Sequence, residues 1–173
     1  MRADGRWFTE IGVISWCLLA AQGCTTNREP LEQEIWLAEP VPYTSSLPAR
    51  CEGLVVMSGN QLTAAQPIHF DFARTQVRAE DEPTLDCMAA ASIDQPVTIL
   101  LQGHTDSIGS ASDNQQLGER RAQAAAFYLQ AHGVDNAKLL ESSAGESSPV
   151  APNSSSQGRA VNRRVEFYPT SPQ

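Results

Sequence analysis

The apolar run Val97-Thr98-Ile99-Leu100-Leu101 and the segment from Ser112 to His132 constrain this chain more than any other feature. A run with hardly a polar break suits a strand covered on both faces. After one polar loop, Gly103-His104-Thr105-Asp106-Ser107-Ile108-Gly109-Ser110, the pattern changes period. Ala122, Ala125, Ala126 and Leu129 recur at helical spacing and form a stripe of small residues suited to close packing on a sheet. Ser112 and Gln115 have capping-box spacing, and Gly133 suits a helix stop. A buried strand that feeds a long, small-faced helix calls for a sheet with a helical layer on it.

The flanking segments extend that pattern. Ile68-His69-Phe70-Asp71-Phe72 alternates, with Ile68, Phe70 and Phe72 on one face. Residues 82–92 place Leu85, Met88, Ala89 and Ser92 at helical spacing, with Pro83 acceptable in the first turn. Strands are expected at 138–142 and 161–168, separated by a Gly/Ser/Pro/Asn-rich excursion over 145–160. Leu54 to Leu62 has the makings of a short strand or hairpin turning at Ser58-Gly59-Asn60. The order strand, helix, strand, helix, strand, strand predicts an α/β two-layer sandwich. Its mixed sheet carries the helices on one face. No internal repeat or second domain is visible.

The N-terminal stretch reads as an address. Arg2 and Arg6 precede an apolar run from Ile11 to Ala21, which is too short to cross a hydrocarbon core about 30 Å thick and has the length of a signal-peptide core. Gln22-Gly23-Cys24 follows, and small residues before a cysteine resemble a bacterial lipobox. That resemblance implies a signal peptide over 1–23 and a diacylglyceryl anchor on Cys24. Thr25 and Thr26 offer no acidic retention signal, which resembles lipoproteins exported to the outer membrane. Residues 24–65 are expected to be a tether and N-terminal extension, since Pro30, Pro40, Pro42 and Pro48 deny the stretch regular structure. Of the 4 cysteines, Cys17 lies in the signal and Cys24 would carry lipid. Cys51 and Cys87 are left, and two thiols in an exported chain suggest one disulfide, worth about 3–4 kcal/mol. Two buried reduced cysteines are the alternative.

Charge narrows the function. With 20 acidic residues against 12 basic ones the net charge is −8, which opposes nucleic-acid binding. It leaves room for a local basic site. Asn114, Leu117 and Arg121 share a helical face, and the loop leaving the strand at 97–101 brings Asp106 beside that helix's first turns. A carboxylate and a guanidinium held close without full pairing suit a zwitterion: the Arg forks onto a carboxylate and the Asp receives an ammonium. A structural Asp106–Arg121 salt bridge is the alternative that spacing leaves open. His104 and Asp106 could be an acid–base or metal pair, but His69 and His132 lack ligand spacing, and no Ser or Cys has a nucleophile frame. No catalysis, metal or cofactor is therefore expected.

Four segments carry a family resemblance: GHTDSIGS at 103–110, NxxLGERRA at 114–122, GESxP at 145–149 and NRRVEFY at 162–168. In this order and separation they resemble the OmpA-like peptidoglycan-binding domain, over residues 66–168, with 169–173 as a tail. The lipobox and tether resemble the layout of the peptidoglycan-associated lipoprotein branch. The resemblance implies non-catalytic binding of the diaminopimelate side chain of peptidoglycan. Asp106 would take the ligand's ammonium and Arg121 its carboxylate. Asn114 would hydrogen-bond the ligand, Arg163 would add a second cationic contact, and Asp71 would lie at the rim. Arg120 and Arg164 would point elsewhere. It also implies a protein anchored by outer-membrane lipid through Cys24 and facing the periplasm. Docking of a periplasmic, Tol-type partner, with residues 31–64 as the place for it, is the alternative role. Gly118 stands where the family often has Ser, and a glycine inside a helix is expected to weaken it by up to about 1 kcal/mol.

Overall fold

In the computed structural model the described residues are 47–170. The expected signal peptide over 1–23, the lipidation site Cys24 and the tether as far as residue 46 lie outside them. Among the described residues, no helix is long and apolar enough to cross a membrane.

A hairpin opens the fold, with β1 (Val55–Ser58) and β2 (Gln61–Ala64) turning at Gly59-Asn60. Gly59 has φ +58, a conformation that glycine adopts without a Cβ penalty. Then follow β3 (Ile68–His69), α1 (Glu82–Ser92), β4 (Thr98–His104), α2 (Ala111–Ala131), β5 (Leu139–Gly145), α3 (Ser156–Asn162) and β6 (Arg164–Thr170). The main sheet has the order β3-β6-β4-β5. β4 runs parallel to β5 and antiparallel to β6, so the sheet is mixed.

The helical layer lies where the periodicity puts it. Ala122, Ala125, Ala126 and Leu129 of α2 are fully buried with Ile99 and Leu101 of β4 and with Val165 and Phe167 of β6. Ser110, not Ser112, caps α2. Its hydroxyl accepts from the Asp113 N–H at 3.1 Å and donates to the Asp113 carboxylate, so the expected Ser112–Gln115 box is not the cap. Gly133, at φ +95, ends the helix with Gly133 N–H to Gln130 O and Val134 N–H to Leu129 O, a Schellman closure. α1 is closed from far away in sequence: the Lys138 ammonium donates to the carbonyls of Ser92, Ile93 and Gln95.

Several expectations need correction. The strand at 68–72 shrinks to β3: Phe70 is buried but Phe72 is exposed, because the chain leaves the sheet edge after His69. Among the described residues, the run at 97–101 is covered on one face only. Leu100 is half-buried, and its cross-strand neighbours Leu140 and Tyr168 are exposed. The excursion at 145–160 contains α3, and β6 starts at Arg164, not at 161, and runs on through Pro169 and Thr170, beyond the expected start of the tail at 169. The boundary at residue 66 also moves. Cys51, Val55 and Leu62 belong to the core, Thr63 donates to the carbonyl of Phe167, and a disulfide joins Cys51 to Cys87 of α1. From residue 47 on, the expected extension is therefore part of the domain.

Candidate functional site

Three chain segments meet at the C-terminal end of β4. The first is the loop after β3. The second is the middle of α2. The third is the junction of α3 and β6. Backbone pairing fixes this meeting, because Gly103 pairs with Val165 and His69 with Arg164. Arg163 then lies beside the β3 end: its carbonyl accepts from Phe70 N–H at 2.9 Å and its Nε donates to the Phe70 carbonyl at 3.0 Å.

Asp106 is 3% exposed, and its two oxygens are engaged differently. Oδ1 accepts from the Ile108 N–H at 3.1 Å, which closes the loop locally. Oδ2 accepts from Arg163 Nη1 at 3.0 Å. The Asp106–Arg121 salt bridge that spacing left open is not made. Arg163 keeps 15% of its side chain exposed, so solvent reaches this pair from one side.

Arg121 is fully buried at 0% exposure, yet no ion pair among the described residues includes it. Its guanidinium donates to three carbonyls: Arg74 at 3.0 Å, His104 at 2.8 Å and Asp71 at 3.2 Å. It also lies over the Phe70 ring, 5.4 Å from the centroid. A guanidinium has five N–H groups, so two remain for another acceptor. Burial pushes its pKa down to about 10, and the Arg163 charge pushes the same way while Asp106 opposes. The group is still charged at neutral pH. A buried cation with carbonyl dipoles in place of a carboxylate counter-ion is costly to keep in a merely structural role.

Above Asp106 and Arg163 lies a groove of about 300 Å³, lined by Phe72, Ile108, Ser156, Arg159 and Arg163. Phe72 (57% exposed) and Ile108 (48%) are its apolar walls. Of these residues, only Arg163 was singled out from the sequence. The available signal for Arg159 was its spacing, four residues before Arg163, the residue that caps α3. It was hidden because Ser- and Gly-rich sequence masked α3.

The remaining expected residues lie elsewhere. Asn114 is buried, and its amide donates to the Glu146 carboxylate, tying the start of α2 to the end of β5. The Asp71 carbonyl holds Arg121, while its exposed side chain lines a different hollow with Arg74 and residues 76–80. Arg120 is exposed. Arg164 is buried in a pair with Glu166 at 2.6 Å. Asn162, which the NRRVEFY motif contains but which was assigned no role from sequence, is fully buried. Its Oδ1 accepts from Val150 and Ala151 N–H, and its Nδ2 donates to Ala151 O and Asn153 Oδ1. It ties residues 150–153 to the end of α3.

A sequence profile of the OmpA family matches residues 69–163, more than half of the chain. Outer membrane protein A of Bordetella avium is 40% identical over 100 residues, covering 57% of this chain and 51% of that relative. The peptidoglycan-associated lipoprotein of Pseudomonas aeruginosa is 37% identical over 106 residues, covering 61% of this chain and 63% of that relative. The crystal structure of the peptidoglycan-associated lipoprotein from Burkholderia pseudomallei superposes with a TM-score of 0.59 at 31% identity, over 61% of this chain and 90% of that one. The chain thus matches only about half to two thirds of the length of these curated relatives. The mixed sheet with its helical layer, the convergence of the four motif segments at one end of it and the match over residues 69–163 agree: this chain belongs to the OmpA family.

Proposed function

We propose that this chain binds peptidoglycan without catalysis, through the zwitterionic end of a diaminopimelate side chain, and links the outer membrane to the cell wall as a lipoprotein acylated on Cys24. One observation supports the reading: Arg121, a buried guanidinium with no carboxylate partner among the described residues, feels the charge of the buried carboxylate Asp106, whose partner Arg163 is partly exposed. The ligand's ammonium takes the place of Arg163 on Asp106. The ligand's carboxylate accepts from the two N–H groups that Arg121 has left. Asn114 and Asp71 act by position. Asn114 holds the α2 start against β5, and the Asp71 carbonyl orients Arg121. Similarity to proteins named peptidoglycan-associated lipoproteins supports both the ligand class and an envelope location.

The test is sedimentation of the full chain with purified sacculi. Wild type should pellet with diaminopimelate-type sacculi and remain soluble with lysine-type sacculi, whose stem peptide lacks the side-chain carboxylate. Asp106→Asn should remain soluble with both while keeping its circular dichroism. Equal pelleting of wild type and variant would refute the site. Labelling with radioactive palmitate, lost in Cys24→Ser, tests the anchor separately.

A further inference from the structure

The zwitterion accounts for Asp106, Arg121 and Arg163 but leaves the groove above them unused. Two guanidinium groups line that groove, those of Arg159 and Arg163, and no acidic side chain does. In a chain of net charge −8 this is a local reversal of sign. Arg159 makes no ion pair among the described residues. Its Nη1 donates to the Asn153 carbonyl at 2.8 Å and its side chain is half-buried, so the guanidinium is held in place instead of sweeping through solvent. Asn153 is itself fixed: its Oδ1 accepts from Asn162 Nδ2 at 2.9 Å and from the Ser107 N–H at 3.3 Å. A positioned cation meets less entropic cost on binding than a mobile one.

We propose that this groove is a second anion subsite, in which Arg159 takes a carboxylate of the stem-peptide residue next to the diaminopimelate, with that residue's aliphatic part against Phe72 and Ile108. The inference rests on the reading of the neighbouring site as a stem-peptide site. Its volume of about 300 Å³ lies at the lower end of pockets that hold small ligands, so it suits one residue of a peptide. The exposed Phe72 and Ile108 side chains supply an apolar face on either side, and Arg supplies paired donors matched to a carboxylate. Two groups of the ligand share this chemistry: the α-carboxylate of the γ-linked glutamate before the diamino residue, and the terminal carboxylate of the alanine after it.

Titration calorimetry of the full chain with three synthetic peptides separates them. The peptides are L-Ala-γ-D-Glu-diaminopimelate-D-Ala, the same peptide amidated on the glutamate α-carboxylate, and the same peptide amidated at its C-terminus. Loss of the matching carboxylate should weaken wild-type binding about tenfold. Arg159→Gln should bind the unmodified peptide about tenfold more weakly and be indifferent to that same amidation, with Arg159→Lys in between. The sensitive peptide identifies the carboxylate. Because the amidation arm uses wild type alone, it does not depend on how a variant folds. Equal affinity of wild type for all three peptides overturns this subsite and leaves the zwitterion site standing, as does an amidation loss that persists undiminished in Arg159→Gln. Failure of all three peptides to bind wild type overturns both.

Discussion

His104 shows how much a single buried side chain can weigh. It lies in the middle of the GHTD motif, its carbonyl holds Arg121, and neither of its ring nitrogens has a hydrogen-bond partner among the described residues. The Glu166 carboxylate comes no nearer than 3.7 Å. Burial and the Arg164 charge push its pKa down to about 4, while Glu166 opposes. The ring is therefore neutral in the folded protein, whereas the unfolded chain takes up a proton below its ordinary value of 6.5. Stability from this residue is complete above that value and is lost as pH falls toward 4. His69, whose pKa is also lowered, chiefly by burial, adds in the same direction. Between pH 7 and pH 5 the loss from His104 should be about 2 kcal/mol, read as a shift in urea midpoint. His104→Gln should flatten that pH dependence, and an unchanged slope would contradict the assignment. The sequence raised His104 only as a rejected acid–base or metal candidate. Its position beside Arg164 and Glu166 depends on the pairing of β6 with β4, which no local pattern encodes.

At the scale of elements, α2 and β4 approach backbone to backbone at Gly118 and Gly103. A Cβ on Gly103 would collide with the backbone of Gly118. One on Gly118 would collide with the Ser143 hydroxyl and come within 2.9 Å of the Gly103 carbonyl. Propensity alone makes Gly118→Ala a stabilising change by up to about 1 kcal/mol. Packing reverses the sign. Ser143 can rotate, but the Gly103 carbonyl belongs to a strand bonded on both sides, and overpacking costs about 1–3 kcal/mol. Gly118→Ala should therefore destabilise by about 1–2 kcal/mol in thermal unfolding, and Gly103→Ala by more. A raised melting temperature for Gly118→Ala would show that the helix can move off the sheet. The elements themselves were legible where a long period ran without interruption: α1 over 82–92, the small-residue stripe of α2 and the hairpin near 54–62. α3 was not legible, because a seven-residue helix within Ser/Gly-rich sequence is held by the Ser155 cap and by Asn162, not by its own periodicity.

At the scale of the whole molecule, the domain begins well before its motifs do. The Cys51–Cys87 disulfide ties the segment before the hairpin to α1 across 36 residues of sequence, and both sulfurs lie in the core. Reduction, or Cys51→Ser with Cys87→Ser, should lower stability by about 4 kcal/mol, measured as a shift in urea midpoint with and without reductant. Amide exchange over 55–64 should rise before exchange in β4. Identical midpoints in the two conditions would mean that the hairpin is held by packing alone. The sequence by itself determined the layers, the order of the central elements and the cluster of charged segments at one sheet end, because these follow from periodicities and spacings read within a few turns of chain. Only the tertiary structure decided that Asp106 meets Arg163 while Arg121 lies buried on three carbonyls, that Arg159 joins the groove, and that among the described residues one face of β4 stays open. Those outcomes turn on which distant segments reach the same place at the same depth. Ion pairing and burial depend on distance and solvent access in space, and neither is written into the spacing of residues along a chain.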